Sequence, residues 1–302
     1  MAEKCTALTT PDTVWSFCPS IAGAYIMMVA FALTLAAHIF QAFYHRKWYC
    51  FVVIMAAIWQ TGSYIFRILS IHNPASEGLY SLWFILLLVA PIWTNAFVYM
   101  AFGRMVWNFT DKANILGIKP WRFGMYFVIL DIISFLVQIY GGARASQSNV
   151  PTSTVLDGLH IYMAGLGIQQ FFILIFCVFA YSFHRTMNHE GNKPRKAYLL
   201  LYTVYAELIL ITTRIIFRLC EFSSGLHSTI PNHEAYQYLL DSLPMLIALV
   251  TVNIIHPGRI MPGKGGDMPS RKERKDGVIT KHYRSREEVG LMPIPSRASG
   301  SF

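Results

Sequence analysis

Charge is what this 302-residue chain has least of: 14% of its residues are Asp, Glu, Lys or Arg, while 54% are hydrophobic. So little charge cannot clothe a water-soluble domain of this size, which excludes the ordinary globular class. Acidic residues are the scarcer kind, 16 against 25 Lys and Arg, leaving a formal net charge of +9. The phosphate-cradling G-x-x-x-x-G-K-[ST] loop is missing, so ATP-driven transport of that type has no seat; Gly263-Lys264-Gly265 is only part of the polar C-terminal stretch. No H-x-x-x-H pair occurs, and His38 and His160, within apolar runs, fall near opposite ends. A membrane zinc hydrolase would need clustered ligands with an open position. No Ser stands near a His and an Asp in a triad-like arrangement. The residues therefore imply no catalytic group, no metal and no cofactor.

What the chain has instead is long apolar runs. Seven of them, over residues 20–43, 48–71, 80–107, 121–141, 156–183, 197–220 and 235–256, each approach the roughly 20 residues that a helix needs to cross a bilayer. The runs are continuous and not alternating, so the expected class is all-α, a polytopic seven-helix protein and not a barrel. Twenty of the 25 Lys and Arg fall in the segments that follow odd-numbered runs and in the C-terminal stretch, against Lys4 and Arg144 on the other side. That bias places the N-terminus outside and the C-terminus in the cytosol. It also accounts for the +9 without nucleic-acid binding. Three parts are expected: an extracellular segment over 1–19, a transmembrane domain over 20–256, and a disordered basic cytosolic tail over 257–302, either drawn to anionic lipid or merely solvated. Cys5 and Cys18 lie in the outer segment, where a bridge is permitted. The expected location is the plasma membrane.

The scarce charges are not scattered. In the sixth run Glu207, Arg214 and Arg218, with Glu221 just past its end, are spaced seven, four and three apart, which puts all four on one helix face. Charge at such depth is costly, so the face must meet protein or a wet cavity. Other runs carry matching stripes: Gln60, Tyr64 and Arg67; Pro91, Asn95 and Gly103; Asp131, Ser134 and Gln138; Gly158, Tyr162, Gly165 and Gln169; Glu234, Tyr238 and Asp241, then Pro244. Counting about 1.5 Å per residue from the run ends places Asp131, Glu207, Asn95, Gln60 and Gln169 near the midplane. Arg67, Gln138, His160, Arg214, Arg218, Glu221 and Asp241 fall in the outer half. There the arginines can cancel against Asp241, Glu221 and Glu234. This outer tier is either an ion-pair lattice that fixes packing or the lining of a site for an amphiphile with a polar head. Asp131 and Glu207 have no basic residue at their depth, and such midplane carboxyls belong to proton relays.

A weak internal repeat runs through the same elements. Ile65-Phe66-Arg67-Ile68 in the second run answers Ile216-Phe217-Arg218-Leu219 in the sixth, with Pro91 and Pro244 following in the third and seventh. Two parallel three-helix units joined by a fourth helix would produce this 3+1+3 pattern. A seven-helix receptor shares the topology. Its signatures are missing, however, since Gly103-Arg104-Met105 follows the third run and Asp241-Ser242-Leu243-Pro244 stands in the seventh.

At these residues the chain resembles the fungal lipid-translocating exporter family, Rta-like seven-helix proteins that include aminocholesterol-resistance and sphingoid long-chain-base transporter members. The resemblance covers about residues 20–256. It rests on Gly62-x-Tyr64-x-x-Arg67, on Ala90-Pro91 with Ala96, Tyr99 and Gly103-Arg104, and on Asp131-x-x-Ser134-Phe135-x-x-Gln138-x-x-Gly141-Gly142. Gly158 through Gly165 to Gln169 continues it, and Arg214-x-x-x-Arg218-x-x-Glu221 with Glu234 and Tyr238-x-x-Asp241-x-x-Pro244-Met245 is its most specific piece. Ala143 departs from a family glycine. The resemblance implies export of lipids or lipid-like toxic amphiphiles toward the outer leaflet, with drug resistance as an outcome. The expected translocation residues are Asp131, Gln138, Gln169, Glu207, Arg214, Arg218, Glu221, Asp241, Arg67 and Asn95. The expected partners are an amphiphilic substrate and membrane lipid, with no nucleic acid. The alternative is a lipid-sensing receptor or regulator that moves nothing.

Overall fold

The computed structural model describes residues 5–147, 150–191, 193–223, 233–262, 267–269 and 272–273. Seven helices are long and apolar enough to cross a membrane, which makes the chain a multi-pass membrane protein. They are α1 (Ile21–His45), α2 (Phe51–His72), α3 (Glu77–Phe109), α4 (Pro120–Ala145), α5 (Thr152–Glu190), α6 (Arg195–Ser223) and the composite α7. The last is built from Glu234–Gln237, a π-helical turn over Tyr238–Ser242, and Leu243–Ile254. A short helix, Pro257–Ile260, follows and buries Pro257 and Gly258. Most of the basic C-terminal stretch lies outside the described residues.

Local chemistry sets the ends. Ser20 accepts from Gly23 N at 3.1 Å to cap α1, and Ser76 caps α3 at Leu79 N with Glu77 in its first turn. Arg46 ends α1 in the left-handed region at φ 52°. Pro120 opens α4, where its missing N–H leaves no bond unmade. At 39 residues and about 1.5 Å each, α5 is far longer than a bilayer core is thick. Its polar end, His184 to Glu190, continues the helix beyond the apolar run that sequence alone delimits.

Successive helices pack side by side, and α7 returns to α1. α3 stands inside this ring against α2, α4, α5, α6 and α7. Accordingly its buried residues lie on all sides, from Trp83 and Leu87 to Met105 and Trp107. α1, by contrast, shows Ile26, Leu33, Phe40 and Phe43 outward, as a lipid-facing helix must. The closest approach is α4 against α5. A Cβ on Gly141 would sit 2.3 Å from the Tyr162 amide nitrogen, so only glycine lets these backbones meet. Toward the face opposite the N-terminus, Phe102, Phe123, Phe127, Phe176 and Phe183 pack edge to face at 5.0–5.4 Å.

Candidate functional site

The polar stripes converge in two layers. Near the N-terminal face, α6 and α7 are locked by four charges. Arg218 donates through Nη1 to Glu221 at 2.8 Å and through Nη2 to Asp241 Oδ2 at 2.5 Å. Arg214 Nε lies 2.6 Å from Asp241 Oδ1, and its Nη2 donates to Leu87 O on α3 at 3.2 Å. Two cations thus share one carboxylate whose side chain is wholly buried. The π turn makes this possible. It places Asp241 and Ser242 inward together just before Pro244, and Ser242 meets the Tyr64 hydroxyl of α2.

A second lock joins α2 to α7. Arg67 Nη2 donates to Glu234 Oε1 at 2.5 Å, with Nη1 3.3 Å from Gln237 Oε1. Aromatic rings surround the same guanidinium: Trp83 at 4.4 Å, Trp15 at 5.2 Å and Tyr238 at 5.3 Å. Trp15 comes from the N-terminal segment, where a Cys5–Cys18 disulfide closes a compact cap. That cap is tied down by Trp15 Nε1 to Ser70 O at 3.3 Å, Val14 N to Pro74 O at 3.0 Å and Ser20 N to Glu234 Oε2 at 2.7 Å. Glu234 therefore serves both cap and arginine. The expected pairing of the arginines with Asp241, Glu221 and Glu234 is what the side chains adopt.

The middle layer divides. On α4, Asp131 Oδ2 accepts from Asn95 Nδ2 at 2.9 Å and from the Tyr99 hydroxyl at 3.2 Å, both on α3. Gln138 Nε2 donates to Gln169 Oε1 at 3.1 Å, joining α4 to α5. Glu207 has neither kind of support. It is 1% exposed, and neither carboxyl oxygen finds a hydrogen-bond partner among the described residues. It borders a cavity of about 10 Å³ between α3, α6 and α7. Gln60 is likewise buried with its amide atoms unpartnered. His160, expected in the outer half, is exposed.

Sequence reasoning missed several contacts. Trp15 carried no signal, since it lies in a short irregular segment. Tyr99 is one helical turn from Asn95, and that spacing could have identified it as a second donor to Asp131. At the basic face His45 stacks on His256 at 4.6 Å, and His256 Nε2 lies 3.4 Å from Cys50 Sγ. Those residues join three helix ends that no periodicity links.

With this geometry in view, residues 53–264 match the family model described as RTA1 like protein. The chain belongs to the RTA1-like family. The Emericella nidulans protein named "Probable lipid transporter atnI" is 37% identical over 272 residues, 84% of this chain and 70% of its own length. "Sphingoid long-chain base transporter RSB1" of Saccharomyces cerevisiae is 24% identical over 307 residues, 90% and 80% of the two chains. "Protein RTM1" of Saccharomyces cerevisiae is 33% identical over 203 residues, 66% and 64%. No solved structure matches this RTA1-like chain.

Proposed function

We propose that this RTA1-like protein exports lipids or lipid-like amphiphiles, such as a sphingoid long-chain base, toward the outer leaflet. The observation that carries the reading is the stacked polar interior, a closed ion-pair layer above a layer with a buried, unpartnered carboxyl. Such a carboxyl is not needed for packing and is costly to bury, so its presence calls for a functional account. In this reading Arg67, Arg214, Arg218, Glu221 and Asp241 form an outer gate. Asp131, Asn95, Gln138, Gln169 and Glu207 lie along the route beneath it, where an acidic group meets an amine head or exchanges protons.

The orientation follows the basic residues, with the N-terminus outside and the plasma membrane as the location. The Cys5–Cys18 bridge supports this side assignment, because disulfides persist in oxidising compartments. The proposed parts are the extracellular segment over 1–19, the seven-helix domain over 20–256, and a basic cytosolic tail over 257–302 that lies largely outside the described residues. The 3+1+3 repeat draws support from Arg67 and Arg218, which occupy matching strings and each reach a carboxylate of α7.

Reconstituted vesicles test the function. The parent protein should move labelled long-chain base between leaflets, and Glu207→Gln and Asp131→Asn, inserted at equal levels, should slow it at least tenfold. Parent-like rates in both variants would remove the midplane acids from the route. Saturable binding without movement would favour a receptor.

A further inference from the structure

We infer that Glu207 is a proton-binding site that couples amphiphile export to proton entry, and is not the seat of the amine head group. The inference rests on the transport reading above and names the ion that this carboxyl takes. Size decides between the two ligands. The cavity at Glu207 measures about 10 Å³, the least that admits a single water, whereas sites for organic ligands run to about 300–1,000 Å³. A metal cation fits no better, because it would need several oxygen ligands. Among the described residues the wall is apolar but for Glu207 and Thr203, and the Thr203 hydroxyl is already spent on Leu199 O at 3.0 Å.

The surroundings put no second ionisable group beside Glu207 among the described residues of the wall. Helix α3 contributes Phe97, Val98 and Ala101, and the α7 end contributes Val252, Ile255 and Pro257. His256, beside Pro257, points instead to Cys50 and His45. Asp131 meets α3 through Asn95 and Tyr99, a strip turned roughly 130° from Phe97, Val98 and Ala101 at about 100° per residue. Arg214, two turns along α6, is held by Asp241. An ionised carboxylate with no partner in such a place is prohibitively costly, and a neutral acid is not.

The cavity is also one-sided. Leu200 and Thr203 on α6, Ala101 on α3 and Pro257 after α7 all lie between Glu207 and the basic face. Toward the N-terminal face the way is shut by the Arg214–Asp241–Arg218 layer and the cap over Arg67. In this conformation the Glu207 proton leaves to water at the basic face. A new proton arrives from water at the N-terminal face when the ion pairs separate to release the amphiphile. One proton enters for each molecule exported, so exchange with a singly charged long-chain base moves no net charge.

The test uses full-length protein in vesicles of neutral phospholipid, an NBD-labelled sphingoid base trimethylated at nitrogen so that it cannot follow the gradient as a neutral amine, and a pH dye on the basic side. One pH unit of gradient, acid at the N-terminal face, should sustain about tenfold accumulation of the base in the opposite direction. A membrane potential alone should sustain none. Proton entry should accompany movement in the parent and in the surface variant Asp157→Asn, and be lost in Glu207→Gln. Gradient-driven accumulation that survives in Glu207→Gln overturns the inference while leaving transport intact. Should the parent move no base at all, the transport reading fails, and infrared titration of the purified protein still decides the proton site. A protonated-carboxyl band that disappears in Glu207→Gln upholds it; its absence from the parent overturns it.

Discussion

The two polar layers obey opposite rules. In the layer near the N-terminal face each of three arginines has a carboxylate within 2.8 Å: Arg67 with Glu234, Arg214 with Asp241, and Arg218 with both Asp241 and Glu221. In the middle, Asp131 has two neutral donors and Glu207 has none. Buried ion pairs that satisfy each other hold helices in register and make a poor place to bind and release anything. A carboxyl left without partners does the reverse, since it adds nothing to packing yet is free to change its protonation.

The sharpest way to break this comparison is at Asp241. Asp241→Ala leaves Arg214 without a carboxylate and Arg218 with Glu221 alone, and removing one partner of a buried pair costs about 3–5 kcal/mol. Thermal melting of the purified protein should show this as the largest loss of any single change in either layer. A melt unchanged from the parent would mean that the ion pairs do not hold the layer together. Next is Arg67→Ala, which removes the Glu234 pair and empties the aromatic surround, at about 2–4 kcal/mol. Arg67→Lys should recover less than half of that, because an ammonium cannot lie flat between Trp15 and Trp83. Full recovery would show that charge, and not the planar stack, is what the cap rests on.

A smaller effect is expected where the middle layer is supported. Tyr99→Phe deletes one of two donors to Asp131, at about 1–3 kcal/mol, and denaturant or thermal titration against the parent measures it. If Asn95→Ala and Tyr99→Phe together cost nothing, then Asp131 is as free as Glu207 and the division of the layer is wrong.

Sequence carried most of the first layer and only part of the second. The stripe Glu207, Arg214, Arg218, Glu221 is visible because helical period and bilayer cost act together, and depth counting then selects Asp241 and Glu234 as partners. What it could not show is set by packing between helices. Asp131 and Glu207 look alike along the chain, and only the register of α4 on α3, with α4 in turn drawn close to α5 at Gly141 and Gly158, brings Asn95 and Tyr99 to one of them. The cap over Arg67 was hidden for a different reason. Residues 5–18 have little regular structure, and their position depends on a disulfide and on Trp15, which local pattern does not encode.

The smallest expected effect is the most informative. Glu207→Gln keeps the shape of the side chain and removes only the ability to ionise. If the carboxyl served packing through an unseen partner, its loss would destabilise the fold by about 1–3 kcal/mol, as other buried hydrogen-bonded groups do. If it is a neutral acid without partners, the amide replaces one unsatisfied polar group with another, and the melting temperature should stay within the range of a neutral substitution, about 0.5 kcal/mol. Stability and transport should then separate: Asp241→Ala loses both together, while Glu207→Gln keeps the first and loses the second. A variant at Glu207 that melts early and transports in proportion to the folded fraction would place this residue in the same class as the ion pairs above it, and the two layers would be one.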